Sequence, residues 1–404
     1  MTLSDGELSA LKTTVEAGLP TLLDELRGLT SIDCGSYTKA GVDEVGGWVA
    51  DRFRGLGADV EVHPHDTFGE TVVGTWTGRS GAGPRVLLIG HMDTVFDEGT
   101  AAARPFRIED DIAYAPGVSD MKGGLLTGIH AVEALSSAAD HSSTGLPFER
   151  LTYVANPDEE IGSPSSTPII RDIARRSDVC LVLEGARANG DIVSSRKGII
   201  DARLAVHGRA AHAGVEPEKG RSAILAAAHL VTALHELTGR WPGVTVNVGV
   251  IGGGTRPNVV AERAMLEIDL RAVRAADLAA VEEAVLEMLT APTVPDVTVE
   301  MTTLHRWQPM EKLERSGHLA ETAIALAQRL GFSTRDVATG GASDANTTSG
   351  MGVPSLDGLG PIGGLDHSPG EYLEVGSIAP RTTLLAALLW SIARDPVIGS
   401  WRVD

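Results

Sequence analysis

The run Val86-Leu87-Leu88-Ile89 constrains this chain more than any other stretch, because of how it ends. Short, apolar and rich in β-branched residues, it reads as a buried strand of a parallel sheet. It stops at Gly90, and the chain then presents His91 and, two residues on, Asp93. Open α/β sheets place their ligands where such strands run out. A carboxylate at i+2 in extended chain falls on the same face as the imidazole, close enough to hold the ring and fix its tautomer. A metal-bound histidine needs that support. His-x-Asp alone is a short pattern, and a hydrogen-bonded surface pair at a strand end satisfies it equally well. The rest of the sequence decides between the two.

Helical spacing of apolar residues marks residues 4–29, opened by the cap Ser4-Asp5-Gly6-Glu7, and residues 42–56. A strand is expected at 58–62, and residues 71–77 lead into a loop over 78–84. Downstream of His91, Ser119-Asp120-Met121-Lys122-Gly123-Gly124 leads into a helix over 125–135 and a polar loop over 136–147. Asp120 stands just before a helix start, where N-capping is the plain alternative. The strand 151–155 ends in Asp158-Glu159-Glu160, three acids that repel one another unless a cation sits among them. The strand 179–183 delivers Glu184. Four successive segments thus place a His or carboxylate where a strand stops, which is too many for coincidence. A further histidine, His367, lies far along in a Gly-rich loop ahead of a last helix over 378–393.

Between 197 and 308 the pattern changes. Strands at 199–206, 245–252, 264–273 and 297–304 alternate with helices at 221–237 and 276–289. This β-α-β-β-α-β order suits a small ferredoxin-like layer inserted into a larger domain. The expected division is therefore 1–196 and 309–404 for the main domain and 197–308 for the insertion.

At 404 residues the chain is long enough for roughly two or three domains with ample core. Its 54 acidic against 34 basic residues give a net charge of −20, which argues against nucleic acid or an anionic membrane as partner. A small anionic substrate needs only one or two cations and stays open. Cys34 and Cys180 form no Cys-x-x-Cys pair, so thiolate metal sites and disulfides are not expected. No signal peptide is visible and no run approaches ~18 apolar residues, so a cytoplasmic protein is expected.

Taken together, His91-Met92-Asp93, Ser119 to Gly124, Asp158-Glu159-Glu160, Glu184 and Asp366-His367-Ser368 resemble the M20 zinc metallopeptidases. The likeness covers nearly the whole chain and is greatest to the glutamate carboxypeptidase branch. It implies an α/β fold: a mixed-sheet, zinc-exopeptidase-like catalytic domain with an inserted lid and dimerisation domain. It further implies two zinc ions bridged by Asp120, one also held by His91 and Glu184, the other by Glu160 and His367. Asp93 would orient His91, and Glu159 would be the general base. Ligands of N and O type suit zinc, with cobalt or manganese as substitutes. Within Gly208-Arg209-Ala210-Ala211-His212-Ala213-Gly214, His212 resembles the lid histidine that reaches across a homodimer to polarise the scissile carbonyl. Asn258 and Arg271 match positions that grip a substrate carboxylate, although Arg271 read alone is an outward strand residue paired with a neighbouring acid.

The sequence departs from that branch near Asp191-Ile192-Val193, where a lysine associated with glutamate selection has no counterpart. Gln308 stands at an arginine position, with Arg306 two residues before it. Strict glutamate specificity therefore does not carry over, whereas hydrolysis does. The expected activity is cleavage of an amide next to a free carboxylate, in a short peptide or an N-acyl amino acid. A biosynthetic deacylase is the alternative enzyme. A silent dimeric binding protein is the alternative of another class, and the intact base and ligand set argue against it.

Overall fold

A computed structural model describes residues 3–78, 81–140, 146–291 and 293–401 of the chain. Parts of the loops expected over 78–84 and 136–147 lie outside the described residues. The chain divides into two units: Met1–Ser194 with Lys312–Ala338 and Ser343–Asp404, and Ser195–Glu311 with Thr339–Ala342.

The first unit is organised around a six-stranded sheet. Its spatial order is Asp59–His63, Thr71–Thr77, Arg150–Asn156, Arg85–His91, Val179–Val182, Ser355–Leu356. The last four strands run parallel, and the first two form an antiparallel edge, so the sheet is mixed. Arg85–His91 lies at its centre and is buried from Val86 to His91, as an uninterrupted apolar run requires. The register sets His91 level with Asn156, and Ile89 level with Val182. Three neighbouring parallel strands therefore end along one edge, where they hand over to Asp93, to Asp158-Glu159-Glu160 and to Glu184.

Around the sheet pack helices whose buried faces follow from their apolar spacing. Asp5–Leu29 buries Leu8, Leu11, Val15, Leu22, Leu26 and Leu29, and it starts at a capping box in which Ser4 and Glu7 satisfy each other's backbone N–H. It packs with Gly123–Asp140 and Val375–Arg394. The helix Gly123–Asp140 runs further than expected and takes the first residues of the predicted polar loop. Val375–Arg394 is long and apolar enough to cross a membrane by composition, but 78% of its most apolar window is buried, as in a core helix. Cys34 and Cys180 are free and buried.

A second, small sheet in this unit has the order Gly363–Gly364, Tyr372–Glu374, Ile112–Tyr114, Arg107–Glu109. It pairs Tyr372 with Tyr114, and so brings the loop of His367 beside the loop of Asp120.

The second unit is a four-stranded antiparallel sheet ordered Thr245–Gly253, Arg263–Ala272, Gly198–His207, Thr298–Trp307, with helices Ala223–His235 and Ala275–Thr290. This is the ferredoxin-like arrangement. Alternation in Gly198–His207 turns Ile200, Ala202, Leu204 and Val206 into a core of the unit's own, where they meet Leu266, Ile268 and Leu270. The sequence pattern does not mark Thr339–Ala342 as part of this unit.

Candidate metal centre

His91 is the last residue of the central strand and is almost wholly buried. Its Nδ1 lies 3.0 Å from the Asp93 carbonyl oxygen and 3.3 Å from the Asp93 carboxylate. A proton on Nδ1 satisfies both acceptors and leaves Nε2 to face the site. Asp93 does more than orient this ring. Its carboxylate accepts the Ser36 hydroxyl at 2.6 Å and the backbone N–H groups of Glu159 and Glu160 at 3.1 and 3.2 Å. One buried acid thus fixes the imidazole and the turn that carries two further acids.

Asp120 reaches the site differently from the expectation that a strand end delivers it. It lies in the irregular segment Val118–Lys122, which runs directly into the helix Gly123–Asp140, and its peptide bond to Met121 is cis. Its side chain is turned to two histidines: Oδ1 is 3.0 Å from His91 Nε2, and Oδ2 is 3.0 Å from His367 Nε2. Beneath it the buried carboxylate of Glu371 accepts the N–H groups of Gly117, Ser119 and Asp120 at 2.9–3.0 Å.

The remaining members close the set. Glu160 is 3.1 Å from His367 Nε2, and Glu184 is 3.8 Å from His91 Nε2. Two donor groups result, His91–Asp120–Glu184 and Asp120–Glu160–His367, whose ligating atoms lie within 4.8 Å of one another. Asp120 belongs to both. The turn 158–163 is anchored from below. Asp158 accepts from Ser165 and Ser166, and Asp344 accepts from Asn156 and Ser163. His367 has φ 61°, in the left-handed region that only a well-supported non-glycine residue keeps. Its loop is held by Arg381, a fully buried arginine that donates to the carbonyls of Gly190, Gly358 and Gly360.

The electrostatics show what this arrangement lacks. Asp93, Asp120, Glu159, Glu160 and Glu184 converge on two histidines, and among the described residues no lysine or arginine pairs with the first four. Burial pushes the Glu159 carboxyl well above its ordinary range, and the charge of Glu184 pushes it further. Burial also raises Glu160. Desolvation by itself would lower His91, but hydrogen bonding to Asp120 and Asp93 raises it well above the usual value. Asp120 and then Glu160 raise His367 to about 10. Protons on the two imidazoles therefore compensate carboxylates at the positions where a cation would sit. Nitrogen and oxygen donors around a surplus of buried negative charge fit divalent metal ions.

The other three predicted residues lie in the second unit. His212 is exposed on a segment paired with the one bearing Asn258: His212 bridges Val259, and the Ala213 N–H donates to the Asn258 carbonyl. The Gly214 N–H donates to His212 Nδ1 at 3.1 Å, so the neutral ring carries its proton on Nε2. Arg271 pairs with Asp269 at 2.9 Å and donates to the Gly340 carbonyl. This is the neighbouring-acid pairing that its strand position alone predicts.

Sequence reasoning missed Ser36, Glu371, Asp344 and Arg381. Glu371 stands four residues after His367 in the same Gly-rich loop, which is the one local signal available. Ser36 and Asp344 reach the site's supports from far along the chain, and Arg381 acts only on backbone ahead of the His367 loop.

Two donor groups sharing a carboxylate, with a buried carboxylate alongside, define a metal-dependent hydrolase of peptide or amide bonds. Residues 87–391 match the model of peptidase family M20/M25/M40, and the chain belongs to this family. It is 28% identical over 378 residues to carboxypeptidase G2 of Pseudomonas sp. (strain RS-16), covering 92% of this chain and 89% of that one. It is 29% identical over 359 residues to acetylornithine deacetylase of Edwardsiella ictaluri, covering 85% and 88% respectively. Among solved structures, aminopeptidase PepT from Bacillus cereus superposes with a TM-score of 0.74 at 23% identity, over 93% of this chain and 99% of that one.

Proposed function

We propose that this protein hydrolyses an amide bond next to a free carboxylate, in a short peptide or an N-acyl amino acid, with two zinc ions bound at the metal centre. The observation that carries the reading is Asp120, which offers one carboxylate oxygen to each histidine at 3.0 Å. His91 and Glu184 complete one site, and Glu160 and His367 the other. Cobalt or manganese are substitutes that the same donors accept. Bound there, such ions supply Lewis acidity, which makes a water more acidic and a carbonyl more electrophilic.

The chain's own residues do the rest. Glu159, buried and not assigned as a ligand, takes the proton of the attacking water and returns it to the departing amine nitrogen. A raised carboxyl pKa suits that exchange. Asp93 holds the His91 tautomer and the backbone of Glu159 together. His212, with its proton on Nε2, donates to the carbonyl oxygen as negative charge develops there. Asn258 and Arg271 grip the free carboxylate, with the guanidinium plane fixed by Asp269 and Gly340. Two relatives support this substrate class by name, one a carboxypeptidase and the other a deacetylase of acetylornithine.

We assign His212 to the site of a partner subunit in a homodimer. The edge strand Thr245–Gly253 and the helix packed on it expose Ile224, Leu225, Val250 and Ile251, an apolar patch at an open sheet edge. Two-fold pairing through that edge covers both. The reading is tested by exhaustive chelation followed by assay on N-acyl amino acids and dipeptides. Loss of hydrolysis, recovery with zinc, and two metal equivalents per chain are expected. Full activity in protein shown to be metal-free would overturn it.

A further inference from the structure

The sheet of the second unit has two faces. Ile200, Ala202, Leu204 and Val206 turn toward its helices, and the residues between them turn the other way. Strand register fixes which side chains meet on that second face. Asp201 stands between Asp269 on one neighbouring strand and His305 on the other, and Ile199 stands likewise between Arg271 and Trp307. Arg306 turns back and pairs with Glu282 of the helix Ala275–Thr290, so His305 and Trp307 on either side of it face away from the helices. Their rings meet at 89° with centroids 4.6 Å apart. Charge on this part of the face does not balance. Arg203 is matched to Glu267 at 2.7 Å and Arg271 to Asp269 at 2.9 Å. Asp201, partly buried, pairs with no cation of its own among the described residues. Burial raises its carboxyl above the ordinary range, and Asp269, within hydrogen-bonding reach, raises it further. One guanidinium thus serves two acids. His305 brings no charge to help, because burial lowers its pKa. Its Nε2 and the Nε1 of Trp307 are shielded from water and bond to nothing among the described residues, so this face holds polar capacity that the chain does not use.

We propose that this face receives the side chain of the residue that bears the free carboxylate, and that Asp201, beside the rings of His305 and Trp307, selects a basic one such as lysine. The inference rests on the reading above, in which Arg271 grips that carboxylate. Arg271 turns Nε and Nη2 to Asp269 and donates from Nη1 to the Gly340 carbonyl, which leaves an N–H free on each terminal nitrogen. Asp201 is its diagonal neighbour on the adjacent strand. Such neighbours stand roughly 7–8 Å apart, a gap that the four-carbon stem of lysine bridges between its carboxylate and its ammonium. A carboxylate arriving alone adds a third negative charge around a single guanidinium. A substrate that also carries a cation at this spacing brings the charge that Asp201 lacks, whereas an acidic side chain is repelled from the same place. The indole of Trp307, diagonal to Asp201 on the other side, adds a ring against which an ammonium is held.

The test compares kcat/KM of the zinc-loaded enzyme for lysine, norleucine and glutamate, each offered as its Nα-acetyl derivative and as the C-terminal residue of an alanyl dipeptide. Norleucine keeps the length of lysine and lacks the ammonium. The wild type should prefer lysine over norleucine by about tenfold or more, and norleucine over glutamate. Asp201→Asn, nearly the same shape without the charge, should lower the lysine-to-norleucine ratio at least about fivefold, chiefly through KM for the lysine substrate. Metal content and melting temperature show whether the variant folds, and the wild-type ranking decides without it. A wild type that cleaves the norleucine or glutamate substrate as well as the lysine one overturns the proposal, and so does an unmoved ratio in folded Asp201→Asn. Cleavage in neither series by zinc-loaded protein is a different result: it removes the parent reading and this one with it.

Discussion

The two units hold their functional side chains differently. In the first, every proposed metal ligand sits among partners; His91 and the Asp93 that orients it are withdrawn from solvent to 1% and 0% exposure, while His367 is exposed but bonded to two carboxylates. In the second, His212 and Asn258 stand exposed on paired loop segments. Metal ligands must be fixed to a fraction of an ångström, which packing and second hydrogen-bond partners achieve. Groups that meet a substrate have to be reachable, and they tighten when it arrives. On the proposed reading, metal affinity belongs to the first unit and the grip on the substrate's carboxylate to the second.

The largest effects should come from breaking the first unit. Asp120→Ala should strip both metals and all activity, because it removes the shared ligand. Glu159→Gln should keep the metals and lower kcat by ~10²–10⁴-fold, about 3–5 kcal/mol of barrier. Metal analysis beside steady-state kinetics separates the two outcomes, and wild-type kcat in Glu159→Gln would remove the base assignment.

Next comes the second unit. His212→Ala should leave metal content untouched while kcat drops by ~10²–10³-fold, the usual cost of a lost oxyanion donor. Mixing it with inactive Glu159→Gln under subunit exchange should restore up to about a quarter of wild-type activity, since each mixed dimer has one intact site. No recovery despite proven exchange would place His212 in its own chain's site.

Smaller still is the effect of the support under Asp120. Glu371→Gln loses one of the two oxygens that together accept three N–H groups and should weaken metal binding by ~10–100-fold, read by competition with a chelator of known affinity. Unaltered affinity would make Glu371 a bystander.

A reference point outside both sites comes from Glu7. Partial burial acts against its charge, but donors from Ser4 and the Arg394 guanidinium hold its carboxyl down at about 2, below its ordinary 4.5. A depressed acid stabilises the fold above its unfolded value and loses that contribution as pH falls from about 4.5 toward 2. Glu7→Gln should therefore cost about 0.5–1 kcal/mol at neutral pH, allowing for solvent screening, and clearly less near pH 2, where the carboxyl is about half protonated. Urea denaturation at both pH values measures it. A cost that does not vary with pH would contradict the charge account.

What could be read from sequence follows the same division. His91, Asp158-Glu159-Glu160 and Glu184 were legible because a buried parallel strand announces itself by an unbroken apolar run, and ligands gather where such strands end. The second unit was legible because alternation and helical spacing take turns along it. Two structural supports were not. The strand Ser355–Leu356 is two residues long, too short for any periodicity. Glu371 acts on backbone N–H groups some 252 positions away, and backbone leaves no trace in side-chain pattern. Asp120 was found by its motif, but the route by which it arrives was not, since irregular chain follows no period.

Asp93 carries a consequence for how this site tolerates change. Its one carboxylate holds the His91 ring and accepts the backbone N–H groups of Glu159, the proposed base, and Glu160, a proposed ligand. Substitutions around it cannot then be independent. Once Asp93 is lost, a further change at Glu159 or Glu160 has less left to disturb, and the penalties of such pairs should fall short of their sum. A lineage that drifts at this position must re-tune three others together or abandon the chemistry. The tolerance of the centre to mutation is thus that of a single residue, spread over four.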